Sequence, residues 1–279
     1  MLKGNTYETV VARSGYSLRK LEKAFHQFFT QSPPFLVITQ PLVSEAYLIL
    51  DALWFGKRFC LMLYRQSRSK LILHASFMSK EYGSLIAKDL ILLKKRKYRI
   101  TVVVSDGGTG IRKAVWQVYG HIPHQICLAH LHRQVINALG RHPKDIRVKQ
   151  LKVIADHLWL IESREALMWW KEQLGKWTRD NREFLGENRT DTTGHWWYIH
   201  HGVRKAVKLL VSAPDASFVF LTHPLIPKTT NELEGQIGNL SAKQVIHQGL
   251  KRERTQSFLT WFIYFYNRRL LSQRKTEKA

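Results

Sequence analysis

The sequence predicts an α/β protein: a mixed five-stranded sheet with an all-helical insertion and an N-terminal helical pair. Three observations carry this. Apolar, β-branched and aromatic runs over 47–55, 59–64, 70–75 and 100–104 read as strands. Apolar residues at helical spacing, such as Ile111, Ala114, Val115 and Val118, alternate with the later strands. Between 140 and 225 the strand signals thin out and helical ones dominate.

Composition narrows the class of partner. Lys+Arg number 44 against 21 Asp+Glu, a net charge of +23. Such an imbalance adds nothing to a fold and opposes compaction by self-repulsion, so it points to a polyanionic partner, nucleic acid first. The 44% of hydrophobic residues excludes a disordered chain. Two cysteines, Cys60 and Cys127, exclude a disulfide framework and fit a reducing compartment. A signal-peptide pattern is missing, and no apolar run reaches the roughly 18 residues of a membrane span. The expectation is a cytoplasmic, nucleoid-associated protein with no membrane partner.

Taken in order, residues 1–32 read as a helix-turn-helix-like segment. Ser14-Gly15 breaks a first helix, and Ser17 can cap a second carrying Leu18, Leu21, Phe25, Phe28 and Phe29. Arg19, Lys20 and Lys23 would then be available to DNA; the plainer alternative is an amphipathic pair packing on the main domain. Pro33-Pro34 ends the segment. The strands over 47–55 (with Asp51 in its middle), 59–64 and 70–75 follow with short connections, as in an antiparallel meander. A helix over 84–93 ends in Lys94-Lys95-Arg96-Lys97, favourable at a helix C-terminus. Strand 100–104, helix 111–119, a short strand around 125–128 and a helix from about 131 to 139 complete the order β-β-β-α-β-α-β-α. This is the order of the ribonuclease-H-like fold, in which the first and fourth strands are neighbours. The domain reading is a catalytic core over 41–139, a helical insertion over 140–225, core helices over 226–271 and a basic tail over 272–279, expected to fray.

The chemistry centres on Val-Val-Val-Ser-Asp-Gly-Gly-Thr-Gly, residues 102–110. Asp106 lies at the C-terminal lip of a strand, where α/β sheets place ligands, and the glycines permit a tight turn. Asp51 on a neighbouring strand would face it. Two divalent ions about 3.5–4 Å apart can clamp both oxygens of a phosphoryl displacement, and carboxylates are their preferred ligands. Glu232 and Glu234 compete for the third carboxylate. They sit about 200° apart on a helix, so both cannot face the sheet. Each also has a capping reading, with Thr229 and Asn231 respectively. Cys127, His130, His132 and His124 are zinc-ligand types, but their spacing matches no standard finger. Of the tryptophans, Trp159, Trp169, Trp170, Trp177, Trp196 and Trp197 lie in the insertion among basic residues. They could stack unpaired bases, although the commoner role of such residues is helical core.

The stretches Leu-Asp-Ala-Leu-Trp-Phe, Val-Ser-Asp-Gly-Gly-Thr-Gly-Ile-Arg-Lys-Ala, Cys-Leu-Ala-His-Leu-His-Arg and Thr-Thr-Asn-Glu-Leu-Glu-Gly resemble the mutator-like insertion-sequence transposases of the DDE class. The resemblance runs from about Pro41 to the final aromatic helix, in the family's order. It implies catalytic and metal-binding roles for Asp51, Asp106 and Glu234, with Mg²⁺ or Mn²⁺ as cofactor. It also places the family's Cys-x-x-His element on Cys127 and His130. The implied activity is metal-dependent hydrolysis of phosphodiesters at element ends, followed by strand transfer into target DNA. The implied partners are double-stranded DNA, both terminal repeats and target, and a second copy of the chain or more on paired ends. Arg112, Lys113, His130, Arg133, Lys243 and His247 join Arg19, Lys20 and Lys23 as DNA-contact candidates. The competing readings are a structure-specific nuclease of the same fold and a non-catalytic DNA-binding regulator derived from a transposase. The chain departs from the family in its short N-terminal region, which lacks a zinc-binding Cys cluster, and in Gln248, where Arg is common.

Overall fold

A computed structural model of the chain describes residues 7–34, 46–56, 59–213, 215–231, 233–235, 238, 240, 242 and 251–276. After helices α1 (Tyr7–Ser14) and α2 (Leu18–Thr30) come β1 (Ala46–Phe55), β2 (Phe59–Gln66), β3 (Ile72–Met78), α3 (Gly83–Lys95), β4 (Ile100–Ser105), α4 (Thr109–Tyr119), β5 (His124–Ile126) and α5 (Leu128–Leu139). The strands form one sheet in the order β3-β2-β1-β4-β5. This is a mixed α/β, ribonuclease-H-like arrangement. By internal packing the chain divides into two compact units. The first comprises Met1–Val103, Thr109–Ile122 and Asn231–Ala279; the second comprises Val104–Gly108 and Pro123–Thr230.

In the first unit, β1 and β2 pair antiparallel from Leu48↔Gln66 to Phe55↔Phe59. Every residue of β2 is buried, which is why it reads as an apolar run without alternation. Leu48, Leu50, Met62 and Tyr64 of the sheet pack with Ile86, Leu90 and Leu93 of α3 and with Ile111, Ala114 and Val115 of α4. The helical residues recur three and four apart, one stripe per helix. β3 begins at Ile72, two residues after the sequence reading, because Lys70 takes a positive φ of 58° and ends a turn there. The long helix α10 (Arg252–Thr276) covers this edge strand. Asn267 accepts from the Ile72 N–H (3.0 Å) and donates to the Ile72 carbonyl (2.8 Å), pairing backbone groups an edge would leave open. α10 continues to Thr276, so 272–276 is helical where fraying was expected.

The α1–α2 pair forms as its sequence suggests. Ser17 caps α2 by accepting from the Lys20 N–H. Phe28 stacks on Trp261 of α10, with ring centroids 4.1 Å apart, and the Trp261 indole donates to the Gln31 carbonyl at 2.9 Å. The packing reading and the DNA-facing reading are therefore compatible: one face of α2 docks on α10, while Arg19, Lys20 and Lys23 stay exposed.

A polar cluster interrupts this core. Asp89 of α3 accepts from the Tyr64 hydroxyl (2.8 Å) and the Ser76 hydroxyl and lies 3.1 Å from His74 Nε2. Burial pushes the Asp89 pKa up, but the hydrogen bonds from His74, Ser76 and Tyr64 outweigh it and hold the carboxyl below its usual range. A depressed folded-state pKa gives stability that is present above the unfolded value, about 3.9, and is lost as pH falls through the folded one. The Asp89→Asn variant should therefore melt lower at pH 7 and show a flatter decline of Tm from about pH 5 downward. Parallel pH profiles for the two proteins would refute this role.

The second unit is mainly helical: α5, α6 (Ile146–Asp156), α7 (Arg164–Asp180), α8 (Arg182–Gly186) and α9 (His201–Val211), with 3-10 turns at His157–Leu160 and Asp215–Leu221. The all-helical expectation needs one correction. β6 (Asn188–Thr190) and β7 (Trp196–Tyr198) form an antiparallel hairpin, with strands too short for alternation to register in the sequence. The tryptophans divide. Trp170 and Trp177 are buried, and their indoles donate to the Ile154 and Arg147 carbonyls at 2.8 and 3.1 Å. Trp159, Trp169, Trp196 and Trp197 are exposed. Among the described residues no helix is long and apolar enough to cross a membrane.

Candidate active site

β1 delivers Asp51 from an otherwise apolar strand. The residue is only 8% exposed, and its Oδ1 accepts from the Ala52 N–H at 2.8 Å. Glu234 comes from a helix that includes residues 231 and 233–235, and it is half-buried. Both belong to the first unit. A carboxylate oxygen of Asp51 and one of Glu234 lie within 4.8 Å of each other. Two partly buried like charges this close repel, and a cation between them removes the conflict. Oxygen donors of this kind suit a hard divalent ion. Glu232 lies outside the described residues.

Asp106 belongs to the second unit and follows the last residue of β4. Its Oδ1 accepts from the Gly108 N–H at 2.9 Å, closing a tight turn. Gly107 adopts φ +78°, and a Cβ there would lie 2.7 Å from Ile126 Cγ2. Both facts require glycine. The turn is held from below. Ser105 Oγ accepts from the Gly107 N–H (3.1 Å) and sits 2.8 Å from His124 Nε2, while the Cys127 N–H donates to the Ser105 carbonyl at 2.7 Å. β4 and β5 thus fix the backbone that presents Asp106. Sequence reasoning missed the Ser105–His124 pair. The only signal was a polar Ser ending an apolar strand.

Cys127 caps no helix through its side chain. Its sulfur instead accepts from both the N–H (3.2 Å) and the hydroxyl (3.4 Å) of Thr230. The neighbouring Leu128 N–H donates to the Lys228 carbonyl at 3.0 Å. The start of α5 therefore grips residues 228–230, just ahead of the helix that carries Glu234. Burial pushes the thiol pKa up, but hydrogen bonds from His130 and Thr230 outweigh it and hold it below the usual thiol range. Three of the four zinc-type residues engage different partners: His124 meets Ser105, His132 lies 2.7 Å from Asp156, and Cys127 is tied to Thr230. That distribution fits a structural latch better than a zinc site.

Of the DNA-contact candidates, Arg19, Lys20, Lys23, Arg112, Lys113 and Arg133 are exposed, and His130 is half-buried. Lys243 and His247 lie outside the described residues. On α4, Arg112 and Lys113 flank the apolar stripe, and Trp116 on the same outer side is 64% exposed.

Residues 68–207, half of the chain, match a family model described as "Transposase, Mutator family". The matched span holds Asp106, Cys127 and His130; Asp51 and Glu234 lie outside it. No curated protein matches the chain.

Proposed function

Since the chain belongs to the Mutator family of transposases, we propose that it is a DDE-class DNA transposase in which Asp51, Asp106 and Glu234 hold Mg²⁺ or Mn²⁺. The observation that carries this reading is the approach of Asp51 and Glu234, remote in sequence, to within 4.8 Å. The family resemblance adds Asp106, which directly follows β4 at the strand-end turn of the second unit.

The chain's own residues perform most of the work. Asp51, Asp106 and Glu234 supply hard anionic oxygens for the divalent ion. When bound, that ion acidifies water and offsets charge developing on the phosphate oxygens. The Asp106 turn, pinned through Ser105 and Gly107, limits how far that carboxylate can move, which favours a preorganised site. The exposed basic side chains of α2 and α4 bind backbone phosphates and hold the scissile bond in place. The first reaction releases a 3′-hydroxyl at the element end. That hydroxyl then attacks target DNA, one phosphodiester forming as another breaks, with no covalent enzyme intermediate.

The direct test is incubation of the full-length protein with a duplex carrying the flanking terminal repeats and a target plasmid, with Mg²⁺ or with chelator. Cleavage and joined products are expected with Mg²⁺ and neither with chelator. Cutting without joining would identify a structure-specific nuclease. Duplex binding with no cleavage in Mg²⁺ or Mn²⁺ would identify a non-catalytic regulator.

A further inference from the structure

We propose that the β6–β7 hairpin is a base-stacking wedge that takes unpaired DNA bases against Trp196 and Trp197, a role that rests on the transposase reading above. Thr190 pairs with Trp196 and Arg189 with Trp197. Successive strand residues point to opposite faces. Trp196 and Tyr198 therefore share one face, with ring centroids 5.2 Å apart and edge to face, while Trp197 lies on the other beside Arg189. The His195 ring stacks near-parallel with Trp197 at 5.8 Å. Trp196 and Trp197 are 56% and 43% exposed.

An indole on each face is informative. A single apolar partner surface would cover one face of the ribbon and leave the other in water. Flat heterocycles can stack on both. The unit's core does not require these rings, because Trp170 and Trp177 already fill it with their N–H groups satisfied. Charge favours the same occupant: Arg189 lies across the ladder from Trp197, and the chain carries a net +23.

The hairpin is also built to keep its shape. The Asp191 carboxylate accepts from the Thr193 N–H (2.9 Å), the Thr193 hydroxyl (2.7 Å) and the His195 N–H (3.0 Å). Gly194 turns the chain at φ +84°. At the base, Arg204 stacks its guanidinium 3.5 Å from the Tyr198 ring centroid and donates to the Leu185 carbonyl at 2.6 Å. His200 Nε2 lies 2.9 Å from the Glu187 carboxylate. A platform ordered before binding loses little entropy when a base arrives.

The test uses the full-length protein and its Trp196→Ala, Trp197→Ala and doubly Phe-substituted variants, with folding checked by circular dichroism. Anisotropy titrations against a short oligothymidylate and a matched duplex read the effect. Each Ala variant should bind the oligothymidylate roughly 5- to 100-fold more weakly, bind duplex as the wild type does, and lose the quenching of tryptophan fluorescence. The Phe variant should retain most of the affinity. Unchanged oligothymidylate binding, equal losses on both DNAs, or a changed mass in light scattering with stacking intact would each overturn the wedge. If the wild type binds duplex without binding oligothymidylate, the wedge fails alone. If it binds neither, the transposase reading fails with it.

Discussion

Asp51→Asn and Glu234→Gln proteins should lose DNA cleavage by on the order of 10³-fold or more, the scale of removing a ligand of a metal that offsets several kcal/mol of transition-state charge. Duplex affinity should stay within a few-fold of wild type, because the phosphate contacts proposed above come from the basic side chains of α2 and α4. The Asn substitution is mild in shape. It keeps an oxygen to accept from the Ala52 N–H, which now bonds Asp51 Oδ1 at 2.8 Å. Stability provides a second readout that a merely structural residue would not give. Two unit charges within 4.8 Å repel by roughly 1–3 kcal/mol for effective dielectrics between about 80 and 20. In chelator, each neutralised variant should therefore melt at or above the wild-type temperature. In Mg²⁺ the order should reverse, because only the wild type gains stability from binding. Variants that cut normally would remove these residues from the site. Variants less stable than wild type in chelator would mark them as structural. Glu232→Gln serves as the comparator; if it fails to cut while Glu234→Gln cuts, the third carboxylate is Glu232.

Gly107→Ala should be the most damaging small substitution near Asp106. Alanine at φ +78° is strained by roughly 1–2 kcal/mol, and its Cβ would meet Ile126 Cγ2 at 2.7 Å, a clash of about 1–3 kcal/mol. The expected loss is about 2–5 kcal/mol in urea unfolding, with cleavage falling further because the turn aims Asp106. Ile126→Val in the same chain should return part of the steric loss and none of the φ strain. A double-mutant cycle then separates the two costs. A Gly107→Ala protein with wild-type unfolding midpoint and activity would contradict the turn geometry.

Much of the fold is legible in the sequence because the signals are local. Apolar runs over β1, β2 and β4 mark buried strands, and helical spacing marks α3 and α4. Errors cluster where local signals are weak. β3 starts late because a positive φ at Lys70 ends the turn, which residue type does not announce. The helix at 252–276 outruns its apolar stretch, since a basic tail is as soluble in a helix as out of one.

What the sequence by itself determined is the element order, the strand-end turn around Asp106, and the excess of positive charge that calls for a polyanion. These follow from residue type and short-range periodicity. The tertiary structure decided that Asp51 has Glu234 as its neighbour, that Cys127 holds Thr230, and which tryptophans face water. Trp170 and Trp196 are the same side chain with the same propensity. Only the long-range packing that buries one and leaves the other on a two-stranded ribbon distinguishes core from surface.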